Sequence, residues 1–407
     1  MDVSGRLLRY AAGRPRPLVV TAPHATGVRL LAEAEIGRRG WRPAEAPAGA
    51  SLLVVCGIPE DALARAVRTV WHQIAAPKAF VPLSPDRTAE AVAAELDAAV
   101  SRLADARAQR EEAVRVPYGE PRGRDGGGRG GAEHHGDEGH GGHEHDMGRP
   151  GGVRMAERGP DRDGLALDRL HVPLGPVLPY WPAGLVVETT LQGDVIQEAE
   201  VRIAGGAAGA HGARAGATRF WDEPWLAARA GWPVTRGAAA RRTAGAQLDS
   251  LARLLATAGW AGAAAEARRL RDRVLGEGPR EEVVRRYDRF ARRVGRSRLL
   301  RWMLHDLGAI DAPGGTDVPG WARGDVLDRT RHRLAGTAAA LAVLDDRSPL
   351  DDEEGPRGPV GGHPSEALLA VLPGLLTGAE LAAARLIVAS LDPDLDQVRP
   401  GRVTAHG

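Results

Sequence analysis

A chain of 407 residues is long enough for two domains or more, each able to bury a core of its own. Its 54 basic and 53 acidic residues nearly cancel, so no global field draws it to nucleic acid or to an anionic membrane. The single cysteine, Cys56, excludes a disulfide framework and any cluster held by several thiolates.

The opening residues lack the uninterrupted apolar core of a signal peptide, and no apolar run approaches the roughly 18 residues of a membrane span. The expectation is a cytoplasmic protein, or one peripheral on the inner face of a membrane, with no transmembrane segment of its own. Lys78 is the only lysine, and Arg carries the rest of the positive charge beside abundant Ala and Gly. That bias reads as genome composition before it reads as function.

Residues 17 to 105 alternate two periods. Pro17 to Val20, Ser51 to Val55 and Ala79 to Leu83 are short apolar runs with strand character. Gly27 to Arg38, Asp61 to Ile74 and Thr88 to Leu103 carry helical spacing between and after them. Strand and helix in alternation predict a parallel sheet with flanking helices, an α/β domain over 1–105. Cys56 closes the run Leu52-Leu53-Val54-Val55 and is expected as a buried strand thiol.

Residues 106–160, whose stretch GRDGGGRGGAEHHGDEGHGGHEHDMGRPGG is Gly-rich and carries almost nothing apolar, are expected to be a disordered linker. Within it His134, His135, His140, His143 and His145 alternate with carboxylates. Imidazole and carboxylate on one flexible tract can wrap Zn or Ni; the alternative is a solvated linker that takes metal only adventitiously. No other cofactor is expected. Just beyond, Asp161, Arg162 and Asp163 between glycines read as a charged surface turn.

From 161 to 407 the pattern predicts a mainly α domain opened by a short antiparallel β-hairpin. The segment LGPVLPYWPAGLVVETTLQGDVIQEAEV, 174–201, carries two β-branched runs around Gly193-Asp194, a hairpin signal. Pro176, Pro179 and Pro182 stiffen the loop before it. Leucines at 248, 251, 254 and 255, at 299, 300 and 304 with Met303, and at 368 to 376 then mark three helical faces. Asp345 to Pro364 is acidic and rich in Gly and Pro, and it is expected as a long surface loop. The Arg-dense stretch 285–302, with Tyr287, Phe290 and Trp302, reads as a solvated helix face or a dock for an acidic partner, with no nucleic acid expected.

Two parts of the chain resemble one machine. SLLVVCGIPEDALARAVRTVWHQIAAPKAFVPL within residues 6–103 resembles the small iron-sulfur subunit of respiratory complex I and of membrane-bound nickel-iron hydrogenases. Residues 174–201 resemble the opening of their quinone-site, hydrogenase-large-subunit-like partner. GAELAAARLIVASLDPDLDQVRP is similar to that partner's C-terminus. The resemblance implies a fused relative of both subunits.

The departures bear on function. Where the resemblance implies an adjacent cysteine pair, the chain reads TAPHATG, with Pro23 and His24; where it implies the last cluster cysteine, VPLSPDR supplies Ser84. In the loop that would carry quinone-site histidines stand Leu178, Tyr180, Trp181 and Pro182. The nickel-binding cysteine pair after Asp-Pro is replaced by Asp394 and Gln397, hard ligands in place of soft ones. Tyr180 and Trp181 could still stack on a quinone, or pack between the two domains; His24 could move a proton, or be structural.

What the resemblance then implies is an oxidoreductase-family scaffold without cluster or nickel ligands. It would be a cluster-free subunit of a complex-I-like or hydrogenase-like assembly, scaffolding or coupling membrane ion-translocating subunits. Two alternatives stand beside it: a quinone-linked oxidoreductase subunit, and nickel or zinc handling through the His-rich tract.

Overall fold

The computed structural model describes residues 12–115, 157–160, 166–204, 219–311, 318–399 and 405–406. The five histidines at 134 to 145 and the turn at 161 to 163 lie outside these residues.

Three five-residue strands, β1 (Pro17–Thr21), β2 (Leu52–Cys56) and β3 (Ala79–Leu83), pair in parallel in the order β1-β2-β3. Every residue of β2 is buried, as a central strand covered on both faces must be. Its alternation sorts the core. Leu52, Val54 and Cys56 pack with α1 (Thr26–Arg38) and α3 (Ala89–Ala104), while Leu53 and Val55 pack with Leu63, Val67 and Val70 of α2 (Asp61–Gln73). The α/β expectation and all six elements hold. Cys56 is fully buried, and burial pushes its thiol up to about 12.

A fourth helix, α4 (Ala106–Arg115), occupies the first ten residues of the expected linker. Gln109 anchors it: the side chain accepts from Lys78 N at 2.8 Å and donates to Lys78 O at 3.0 Å, satisfying backbone at the start of β3. That side-chain pairing is what a composition-based reading cannot see.

The hairpin is present as β6 (Leu185–Gln192) and β7 (Val195–Ile203), with Gly193 at φ 62 in the two-residue loop. It sits inside a larger antiparallel sheet, ordered β10-β7-β6-β5-β4, with β4 (Glu157–Pro160), β5 (Ala166–Leu174) and β10 (Ala405–His406). Leu185, Val187, Leu191, Ile196 and Val201 share one core with the helices that follow.

Those helices are α5 (Glu223–Arg229), α6 (Arg236–Thr257), α7 (Ala261–Leu275), α8 (Arg280–Gly295), α9 (Arg298–Leu304), α10 (Val326–Ala342), α11 (Pro364–Leu376) and α12 (Leu381–Leu391). Of the leucine faces, 248, 251, 254 and 255 are buried, but Leu299 on α9 is 66% exposed. The hairpin tip is stitched to the α11–α12 turn through Ile196 N to Ala379 O at 2.9 Å and Gly378 N to Ile196 O at 2.7 Å. The hairpin therefore fixes where α12, and the segment after it, must run. No helix among the described residues is long and apolar enough to cross a membrane.

Candidate functional site at the junction of the two sheets' helices

Helix α1 lies against α7 and α6 through charge as well as apolar contact. Leu30 joins Trp221 and Ala246 in a small buried cluster. Next to it in sequence, Arg29 grips Asp249 of α6 with two hydrogen bonds, 3.2 and 2.7 Å, and reaches Glu33 at 2.9 Å. Arg271 of α7, wholly buried, bridges Glu33 and Asp249 at 2.6 Å each.

Burial pushes these carboxyls up, and the arginines more than reverse it. Arg29 and Arg271 bring Glu33 down to about 2, and Arg29, Arg253 and Arg271 hold Asp249 well below the carboxylate range. Charges this deep persist only when paired on all sides.

The network continues toward the C-terminus. Arg253 spans Asp249 (3.6 Å) and Asp392 (3.0 Å). Arg357 binds Asp392 at 2.8 Å and also its carbonyl oxygen, and Ser250 Oγ donates to the same carboxylate at 2.6 Å. Arg357 comes from the segment 345–364, expected as a surface loop. Residues 351–354 are acidic and exposed, but Pro356, Arg357, Gly358 and Val360 are buried, and Arg357, 5% exposed, joins Arg253 in holding the buried Asp392.

At its end α12 turns through Asp392, in the left-handed region at φ 43, into Pro393-Asp394-Leu395-Asp396-Gln397. This segment meets the first strand's exit. The backbone N–H of His24, itself at φ 59, donates to Asp396 Oδ1 at 2.8 Å, and the His24 ring Nδ1 stands 3.6 Å from the same oxygen. Burial, then the neighbouring Asp394, push Asp396 up to about 6 against the opposing pull of His24. Asp222, 1% exposed, is raised by the same two causes.

The residues singled out from sequence fall into two groups. Pro23, His24, the loop's end and the 392–397 segment converge: a Cβ on Gly184 would stand 3.6 Å from Pro23 and 3.8 Å from Leu395. Asp394 takes a hydrogen bond from Asp396 N at 3.1 Å and lies 3.8 Å from Arg357 Nε. Gln397 is held by Ser365 at 3.1 Å and by Asp222 at 3.4 Å, and its carbonyl lies 2.6 Å from His363 Nδ1. Pro182 is buried beside the convergence.

Ser84 stands apart, exposed at the end of β3 with β2 between it and β1. Leu178 and Trp181 pack into the C-terminal core, and Trp181 Nε1 donates to Leu185 O at 2.8 Å. Tyr180 has Arg268 over its ring at 5.2 Å. Val177 of the same loop packs on the α2 side of the N-terminal sheet. The packing of Trp181 is therefore internal to its own core.

Sequence reasoning missed the charged network itself. Its trace is an arginine set between Val28 and Leu30, and an aspartate on the Leu248-Leu251 face, both ionic residues at positions whose period calls for apolar ones.

No family model matches the chain, and no curated protein matches it. Among solved structures, a chain of the membrane-bound sulfane sulfur reductase, an archaeal respiratory membrane complex, is similar at 14% identity and a TM-score of 0.35, over 56% of this chain and 98% of that one. A likeness that faint assigns no role.

Proposed function

We propose that the chain is a cluster-free, non-catalytic subunit of a complex-I-like or hydrogenase-like membrane assembly, one that scaffolds or couples the ion-translocating membrane subunits. What supports this is the convergence of residues 23–24, 182–184 and 392–397 into one junction where most polar groups have protein partners, the buried Asp222 Oδ1 and Arg357 Nε lacking a hydrogen bond. His24, Asp392, Asp394 and Gln397 bind protein partners. Where the resemblance sets soft ligands for iron or nickel, the chain carries hydrogen-bonding groups that tie α12's exit to β1's exit. A junction of that kind transmits position and carries no electrons. The one thiol of the sequence, Cys56, is buried in a strand and protonated at neutral pH.

The test is isolation of the tagged chain from mild-detergent extracts of its own cells. Co-purification with polytopic membrane proteins in fixed ratio supports the reading. Recovery of the chain alone from the soluble fraction, with none in the membrane fraction, overturns it.

A further inference from the structure

Beyond the first turn of α8, where Glu281 and Glu282 pair with Arg285 and Arg286, helices α8 and α9 carry a strongly basic surface. Between Val283 and Leu304 stand eight arginines and one carboxylate, Asp288. Arg289, Arg292, Arg296, Arg298 and Arg301 are exposed, and none has a carboxylate within ion-pair distance among the described residues. Arg285, Arg289, Arg292 and Arg296 follow the 4-3-4 spacing of one helix face, a stripe of about 16 Å. Ser297 joins the two helices and caps α9, its Oγ accepting from Leu300 N at 3.2 Å, so the stripe runs on into Arg298 and Arg301.

A solvated basic face accounts for the arginines alone. It leaves unexplained Leu299 at 66% and Trp302 at 78% exposure, about one helical turn apart and each directly after an arginine, Arg298 and Arg301. Guanidinium, indole and aliphatic side chains exposed together on one short helix are a combination that suits the headgroup boundary of a bilayer. Nucleic acid would use the arginines and the indole but has no complement for Leu299.

We infer that this face binds an anionic phospholipid surface, the arginines pairing with lipid phosphates while Leu299 and Trp302 enter the interface. The whole chain is nearly neutral, so the attraction is local. The inference is independent of the function proposed above, which asks for protein subunits in the membrane and not for lipid.

The probe is the purified full chain with vesicles of phosphatidylglycerol and phosphatidylcholine in equal parts, against phosphatidylcholine alone. Binding to the anionic vesicles only, weakened by salt, is expected. Arg289→Gln/Arg292→Gln/Arg296→Gln should weaken it on the order of tenfold or more, and Trp302→Ala should lose the quenching of tryptophan fluorescence by brominated lipid. All four side chains are exposed, so folding is spared. Arg65→Gln/Arg68→Gln, on the exposed face of α2, should bind like the parent. Absence of binding to anionic vesicles overturns the inference. So does binding that the α2 variant loses equally, or that a single-stranded oligonucleotide competes away while Trp302→Ala and Leu299→Ala leave it unchanged.

Discussion

Arg29 and Asp249 stand 220 residues apart and meet through two hydrogen bonds, Nη1 to Oδ1 at 3.2 Å and Nη2 to Oδ2 at 2.7 Å, with only 4% and 1% of their side chains exposed. They belong to helices on different sheets, and Arg271, with no exposure at all, closes the ring onto Glu33. An ion pair so placed adds little over an apolar contact of equal volume but makes the loss of either partner expensive. It therefore specifies one docking geometry for α1 on α6 and α7.

Asp249→Asn should destabilise the fold by about 3–5 kcal/mol, because it leaves Arg29 and Arg271 buried without their shared counter-charge. Urea unfolding gives the number. A loss within the ~0.5 kcal/mol typical of surface changes would mean that water reaches the junction.

Acid should loosen the same junction. Glu33 titrates near 2 when folded against an ordinary 4.5, so its contribution is present above 4.5 and is lost as pH falls toward 2. Asp249 acts in the same direction. Thermal unfolding midpoints should drop through that window, and Glu33→Gln should flatten the drop. An unchanged slope in the variant would remove Glu33 from the account of acid lability.

Asp396 should behave with the opposite sign. Its folded value, about 6, lies above the ordinary 3.8, so the folded state binds this proton more tightly. The contribution is fully present below 3.8 and is lost as pH rises through about 6. The groups facing it are Asp394, His24 and, more distantly, Arg219. Asp396→Asn keeps an oxygen for the His24 N–H while abolishing the titration, so the variant should gain midpoint relative to the parent as pH rises across that window. A constant difference would show that Asp396 does not titrate there.

Gly57 closes β2 at φ +90, and a Cβ there would stand 2.5 Å from Ala25 Cβ and 3.0 Å from Ala22 Cβ. Gly57→Ala combines left-handed strain with overpacking and should cost about 2–4 kcal/mol. Urea unfolding followed by tryptophan fluorescence measures it. A neutral outcome would mean that the β1 exit, and with it His24, can move.

Legibility in the sequence followed locality. Runs such as Leu52-Leu53-Val54-Val55 and the pair Gly193-Asp194 declare strand and turn within a few residues, so β1 to β3, β6 and β7 could be read directly. β5 could not, since Leu167 and Leu170 face outward and Pro173 interrupts it. The approach of His24 to Asp396 spans 372 residues and leaves no period in either segment. Arg357 was hidden differently: one buried cation inside an acidic, Pro/Gly-rich stretch looks like solvent-exposed loop until Asp392 is seen to need it. Composition averages over a window, and a buried ion pair is made by single residues.

Chemical analysis of the anaerobically purified chain tests most directly whether the junction of His24, Asp394 and Gln397 is a clasp or a redox centre. Iron and nickel per chain would be measured together with visible absorbance. Sub-stoichiometric metal without a charge-transfer band, in a chain that still unfolds cooperatively, is the expected result. Stoichiometric iron with a cluster band would contradict the cluster-free reading and return electron transfer to this fold.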